Sequence, residues 1–279
     1  MSSNAHDVYY VPAPSKWPVV GSTALFLLAV GFVSLLWGRV QGTAILAAGF
    51  AVLTYMLFGW FGTVIRESEG GKYNAQVDAS FRWAMGWFIF SEVMFFVAFF
   101  GALFYARQMS VPTLGDVDNL LLWPGFKPSW PSEGPFLTGA FTPMTAWGLP
   151  AINTLLLLTS GATVTWAHWA LVKNARAQLI AGLVATICLG LMFLYFQATE
   201  YGEAAFSLST GVYGATFFLL TGFHGFHVTL GTLMLIVILY RCIKGHFTPN
   251  HHFAFEAVSW YWHFVDVVWL GLFIFVYLL

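Results

Sequence analysis

The chain has 279 residues and a formal net charge of −1, and 59% of its residues are hydrophobic whereas only 8% are charged. Water-soluble domains usually carry about 25% charged residues, so this composition excludes a soluble body and indicates lipid as the main solvent. The near-neutral charge provides no basic surface for nucleic acid. The two cysteines lack the spacing of a disulfide framework or a thiolate metal site.

Seven apolar runs predict seven membrane-spanning helices. Residues 1–16 are polar and lack the basic start of a signal peptide, so they are predicted to form a cytoplasmic segment before a retained first span. Each apolar run has about 20 residues or more, enough for a helix to cross ~30 Å of hydrocarbon. The predicted spans are Trp17–Trp37, Gly42–Val64, Trp83–Ala106, Thr145–Val172, Leu179–Tyr201, Val212–Tyr240 and Glu256–Leu279.

The loops predict how the spans are grouped. A very short turn joins the first two spans, which indicates an antiparallel two-helix bundle over 17–64. A longer polar inner loop, 65–82, would let this pair stand apart from a five-helix bundle over 83–279. Inside that bundle, an outer loop of about 107–143 is rich in Pro, Gly and Trp, a composition typical of an ordered cap rather than a disordered linker.

The basic residues predict the orientation in the membrane. Eight of them would share the side of the N-terminus, namely Lys16, Arg66, Lys72, Arg82, Lys173, Arg176, Arg241 and Lys244. The other three, Arg39, Arg107 and Lys127, would lie on the opposite side. Because cytoplasmic loops carry the excess of Lys and Arg, the N-terminus is predicted to be cytoplasmic and the C-terminus outside.

Five ionisable residues lie near the middle of predicted spans, where a charge costs about 2.5–3.5 kcal/mol on insertion scales. They are Glu92, His224, His227, His263 and Asp266. Their similar depth and their three-residue spacings allow one interhelical hydrogen-bond network that faces the bundle interior.

Three interpretations of these five residues stay open from the residues alone. They are hydrogen bonding between helices, a proton relay, and a metal or haem site on the three histidines. A carboxyl at the depth of Glu92 is expected to be protonated, because desolvation disfavours the charged form. A protonated carboxyl in lipid is also the form that a hydrophobic carbodiimide attacks.

A second group of candidate residues lies at the predicted inner membrane surface. Its members are Trp60, Phe61, Arg66, Glu67, Arg241, Lys244 and His246. Basic side chains at headgroup level, beside aromatic rings, can bind lipid phosphates through charge-assisted hydrogen bonds. The alternative is that these residues serve only the positive-inside bias and the aromatic belt.

Long motifs that follow one another along nearly the whole chain resemble cytochrome c oxidase subunit III. They are VIRESEG (64–70), SEVMFFVAFFGALF (91–104), LPAINTLLLLTSGATVTWAH (149–168), GFHGFHVTLGTLMLIV (222–237) and FEAVSWYWHFVDVVWLGLFIFVYL (255–278). The sequence departs from the family at Phe61, where a second Trp is common, and in the outer loop, which matches poorly.

The resemblance implies an all-α membrane fold of seven transmembrane helices in two groups, helices 1–2 and 3–7, with a lipid-filled V-shaped cleft. It implies a non-catalytic accessory subunit of a respiratory oxidoreductase and translocase, which passes electrons from cytochrome c to dioxygen and pumps protons. Haem and copper would lie in partner subunits, and this chain would bind structural phospholipid but no cofactor. Subunit I would be the main contact, with subunit II and small subunits as further partners.

By position, the resemblance makes Glu92 the family's carbodiimide-reactive carboxyl and makes the seven inner-surface residues lipid contacts. It disfavours a metal at His224 and His227, and it assigns no catalytic residue. The chain would support proton uptake and the stability of subunit I. The motifs favour a bacterial plasma membrane, with the mitochondrial inner membrane as the alternative.

Other classes of membrane protein fit less well. A quinol oxidase subunit III, the nearest alternative, usually lacks the first two spans. A secondary transporter would show interrupted helices and paired repeats, and neither is visible in the sequence. A retinal protein would need a Lys in the seventh span, which has none.

Overall fold

The computed structural model describes residues 9–135 and 142–279, and within them it forms helices and no strand. Seven helices are long and apolar enough to cross a membrane, which confirms the seven predicted spans. They are α1 Trp17–Leu36, α2 Gln41–Glu69, α3 Ala75–Tyr105, α4 Leu149–Val172, α5 Arg176–Glu203, α6 Gly211–Lys244 and α7 Phe253–Leu272. Short π-helical segments extend α3 and α7, over Ala106–Ser110 and Phe273–Leu278.

Several helices differ from the predicted spans at their ends. Most of the predicted inner loop 65–82 is helical, because α2 continues to Glu69 and α3 begins at Ala75. The third helix also continues into the predicted outer loop, through Val111–Thr113, whereas α4 begins at Leu149, later than predicted. Apolarity marks the thickness of the hydrocarbon, but a helix can continue into headgroups and water, and α2 and α3 extend beyond the predicted spans for that reason.

The chain divides into two compact units, one ending at Phe81 and the other beginning at Arg82. In the first unit, α1 and α2 form a close antiparallel pair. A Cβ on Gly31 would lie 2.7 Å from the backbone nitrogen of Leu46, and a Cβ on Gly42 would lie 2.9 Å from the carbonyl oxygen of Gly31. Only glycine permits this approach, and the small residues let the two backbones pack together in lipid.

Trp262 of α7 lies at the centre of the second unit and is fully buried. Its ring lies between Gly190 of α5 and Gly231 of α6, where a Cβ would come within 2.7 Å and 2.9 Å of ring atoms. The indole N–H donates to Ser160 Oγ of α4 at 2.9 Å. One side chain therefore contacts three other helices.

The described part of the outer loop packs against the start of α6. The rings of Trp130 and Tyr213 lie 5.8 Å apart between centroids. The Tyr213 hydroxyl accepts from the backbone N–H of Met144 at 3.2 Å, and the Tyr213 backbone N–H donates to the Ser132 carbonyl at 3.2 Å. These contacts hold the described part of the loop against this unit. Parts of two predicted segments, residues 1–8 and 136–141, lie outside the described residues.

Candidate functional site

Glu92 of α3 and His227 of α6 form a hydrogen-bonded pair in the second unit. Glu92 Oε2 lies 3.0 Å from His227 Nε2, and His227 Nδ1 lies 2.6 Å from the carbonyl oxygen of Phe223. Because a carbonyl only accepts, Nδ1 carries a proton, and in a neutral imidazole Nε2 is then the acceptor. The contact with Glu92 therefore joins either a protonated carboxyl to a neutral imidazole or a carboxylate to an imidazolium.

Aromatic rings surround the His227 side of this pair. The His227 ring lies 5.9 Å from the ring of Phe95 and 5.0 Å from that of Phe96, measured between centroids. Such surroundings exclude water and make separated charges expensive. The neutral form of the pair, with Glu92 as the donor, avoids burying two charges in this setting.

His263 and Asp266 of α7 form a separate polar group against α4. His263 Nε2 lies 3.2 Å from Thr165 Oγ1, and His263 Nδ1 lies 3.8 Å from Asp266 Oδ2. Gly161 leaves room for the carboxyl group, because a Cβ there would lie 2.5 Å from Asp266 Oδ2. The His263 side chain is 45% exposed. His263 therefore faces outward from this unit. The sequence had predicted that it would face the bundle interior, and that prediction was wrong for this residue.

His224 is buried apart from both groups. Its ring lies 5.6 Å from the ring of Phe193 and 5.3 Å from that of Trp269. Its two nitrogens make no hydrogen bond with any residue in the described part of the chain. The predicted single network is thus divided in three, because depth along a helix does not determine which neighbour each side chain faces.

The first unit carries three of the predicted lipid contacts on its surface. Trp60 and Phe61 are exposed near the end of α2, and their rings stack with centroids 6.4 Å apart. Arg66 is exposed further along the same helix, and its Nη2 donates to Thr63 Oγ1 at 3.1 Å. Apolar rings followed by a cation form the pattern of a helix end that leaves the hydrocarbon at the headgroups.

Glu67 has protein partners for both of its carboxylate oxygens. The Tyr10 hydroxyl donates to Oε1 at 2.9 Å, and the Tyr73 hydroxyl donates to Oε2 at 2.9 Å. Desolvation, together with the hydrogen bond to Glu67, raises the pKa of Tyr73 above its ordinary value and keeps this hydroxyl a donor. Glu67 therefore ties the N-terminal segment and the α2–α3 turn to α2.

The remaining predicted lipid contacts lie at the end of α6 and differ in exposure. Arg241 is buried, and its guanidinium carbon lies 4.3 Å from the ring centroid of Phe247. Lys244 is exposed, and His246 is half-buried. Lys244 therefore presents its charge outward, whereas Arg241 packs under the α6–α7 connection.

One cluster in the second unit has no counterpart among the predicted residues. His168 of α4, His252 beside the start of α7, and Glu256 of α7 bring potential ligand atoms within 4.8 Å of one another. Arg82 of α3 forms an ion pair with Glu256. The cluster could not be found from the sequence because distant segments supply it, and its only local signal is the four-residue spacing of His252 and Glu256.

The fold and these sites define a multi-pass membrane protein whose polar side chains within the spans make contacts between helices. The sequence model for cytochrome c oxidase subunit III matches residues 6–279. The chain belongs to the cytochrome c oxidase subunit III family, as the motifs predict.

Curated relatives named cytochrome c oxidase subunit 3 are similar over nearly their whole length. The relative from Marchantia polymorpha is 42% identical, with 99% of this chain and 98% of the relative covered. The relative from Latimeria chalumnae is 41% identical with the same coverage. The relative from Papio hamadryas is 42% identical, with 96% of each chain covered.

Proposed function

We propose that this chain is a non-catalytic accessory subunit of a respiratory cytochrome c oxidase, which passes electrons from cytochrome c to dioxygen and pumps protons. Membership of the family supports a position in that complex. The observation that carries the non-catalytic role is the state of His227, whose two ring nitrogens already contact Phe223 and Glu92. Neither of these two nitrogens is then free to ligate iron or copper, which supports our proposal that haem and copper lie in the partner subunits.

The α4–α7 face supports contact with the catalytic subunit I. His263 lies near the middle of a span and is half-exposed beside Asp266. Polar side chains that face acyl chains are costly, whereas a polar group on a neighbouring helix would satisfy them. This face therefore suits packing against another membrane subunit, which would stabilise subunit I and support its proton uptake. Subunit II and small subunits are further proposed partners, and cytochrome c is the substrate of the complex.

The accessory role predicts that the chain is extracted from membranes in a complex with haem and copper and holds neither once separated. The reason is that His227 and His263 already contact Glu92 and Thr165 through their ring nitrogens. The measurement is metal analysis and haem absorption, first on the complex and then on the separated chain. Stoichiometric haem or copper in the separated chain would contradict the proposal.

Phospholipid binding at the inner surface is the second part of the proposed function. Arg66 in the first unit and Lys244 in the second are exposed cations near exposed aromatic rings. Each can donate charge-assisted hydrogen bonds to a phosphate while the rings contact acyl chains. Arg241 and Glu67 would not contact the lipid directly. Arg241 is buried, and both carboxylate oxygens of Glu67 accept hydrogen bonds from tyrosines. The lipid-filled cleft stays a prediction.

Arg66→Ala and Lys244→Ala should each reduce the phospholipid that stays bound to the purified complex. The loss of one phosphate contact lowers affinity, and the effect should weaken as salt concentration rises. Native mass spectrometry of the complex counts the retained lipids. Lys173→Ala, an exposed cation at the end of α4, is the control and should retain the wild-type lipids. Unchanged lipid counts in both test variants would refute these contacts.

The proposed location is a bacterial plasma membrane, with the N-terminus in the cytoplasm and the C-terminus outside. The excess of Lys and Arg on the N-terminal side supports the orientation. The bacterial membrane is favoured over the mitochondrial inner membrane by the sequence motifs alone.

A further inference from the structure

Three side chains that commonly ligate metal ions converge where α4 ends and α7 begins. His252 Nε2 lies 3.2 Å from Glu256 Oε1, and His168 Nε2 lies 3.8 Å from the same oxygen. The planes of the two imidazole rings meet at 65°, with ring centroids 5.4 Å apart. All three side chains are partly or largely buried. Their nitrogen and oxygen atoms therefore point at one small volume inside the second unit.

The hydrogen bonding of His252 leaves its Nε2 without a proton to donate. His252 Nδ1 lies 3.0 Å from the carbonyl oxygen of Thr248, which only accepts, so Nδ1 carries the proton of the neutral ring. The lone pair of Nε2 then faces Glu256 Oε1 at 3.2 Å. Two acceptors at this distance repel each other unless a cation, a metal ion or an added proton, lies between them. A backbone carbonyl on the second nitrogen is also how proteins orient histidine ligands.

His168 provides an independent sign of a missing ligand. Its Nε2 is buried and has no hydrogen-bond partner among residues 9–135 and 142–279. The nearest carboxylate oxygen, Glu256 Oε1, is at 3.8 Å, which is too long for a hydrogen bond. A buried polar atom without a partner costs free energy. A cation between His168, His252 and Glu256 would satisfy all three atoms together.

Arg82 sets the charge and the geometry of the cluster. Its guanidinium pairs with Glu256 Oε2 and leaves Oε1 for the histidines. The guanidinium also lies over the ring of Phe253, 5.3 Å from the centroid. The ion pair with Arg82 orients the carboxyl group of Glu256. Zinc bonds to nitrogen and oxygen are about 2.0–2.2 Å long, so small side-chain rotations would bring the three atoms into a coordination sphere.

We propose that His168, His252 and Glu256 bind a divalent transition-metal ion, with zinc as the best fit. Two imidazoles and one carboxylate are a common zinc ligand set that leaves a fourth position for water. Zinc has no redox chemistry, so such a site is compatible with a chain that carries no redox centre. The ion would connect the end of α4 with the start of α7, close to Arg82 of α3. This role is independent of lipid binding at the inner surface.

The test uses the intact purified oxidase complex, which is treated with a chelator, equilibrated with Zn²⁺ alone and dialysed. Elemental analysis then counts the zinc that each complex retains. Wild type should retain one zinc ion more than His168→Gln or His252→Gln. His251→Gln is the matched control, because His251 is the exposed neighbour of His252, and it should bind as much zinc as wild type.

A second measurement needs no variant and therefore remains decisive if His168→Gln or His252→Gln fails to assemble. Anomalous diffraction at the zinc edge from the wild-type complex should give a peak between His168, His252 and Glu256. Equal zinc in wild type and in both variants would overturn the proposal, and so would a map without this peak. Either result would mean that His168, His252 and Glu256 hold no metal ion.

Discussion

A hydrophobic carbodiimide should label the wild-type chain and leave the Glu92→Gln variant unlabelled. Glu92 lies within the α3 span, 3.0 Å from His227 Nε2, and the carbonyl oxygen of Phe223 accepts a hydrogen bond from His227 Nδ1–H. The neutral form of this pair requires the proton to be on Glu92. That is the form with which carbodiimide reacts, and the apolar reagent concentrates in lipid. The mass of the intact chain after treatment measures the labelling.

Glu69→Gln is the matched control for carbodiimide labelling. Glu69 is a glutamate as well, but it is the last residue of α2 and is exposed, so it lies outside the hydrocarbon in which the apolar reagent concentrates. The Glu69→Gln chain should be labelled as strongly as wild type. If wild type and Glu92→Gln gain the same mass, the protonated carboxyl lies elsewhere, and the pair with His227 is a carboxylate with an imidazolium.

Gly231→Val should destabilise the second unit by about 1–3 kcal/mol, the usual cost of overpacking a close contact. A Cβ at this position would lie 2.9 Å from the Trp262 ring. The ring cannot move away, because Gly190 bounds its other side and Ser160 holds its N–H. Detergent-induced unfolding of the chain, followed by tryptophan fluorescence, measures the loss of unfolding free energy.

Gly225→Val in the same helix separates the contact with Trp262 from the general effect of valine in place of glycine. Nothing in the described part of the chain lies within 4 Å of a Cβ at Gly225. Valine also has a better helix propensity than glycine, so this variant should be as stable as wild type or slightly more stable. An equal loss in both variants would show that the packing of Trp262 does not depend on Gly231.

The candidate site was only partly predictable, and Glu92 and Glu67 illustrate why. The depth of Glu92 follows from counting residues along its helix, so its membrane position was accessible from the sequence. Its pairing with His227 depends on how α3 and α6 rotate when they pack. Glu67 was predicted as a lipid contact, but one of its partners, Tyr10, lies 57 residues away in the chain. No local pattern encodes such a contact.

The sequence by itself determined that lipid surrounds this chain, that seven helices cross it and that it resembles one family. Solvation by hydrocarbon depends on composition and on the length of apolar runs, both of which are read without coordinates. Only the tertiary structure decided that Glu92 forms a hydrogen bond with His227, that His263 faces outward, and that the rings of His168 and His252 lie close together. A hydrogen bond or a metal ligand requires direction as well as proximity, and directions exist only once the helices have packed.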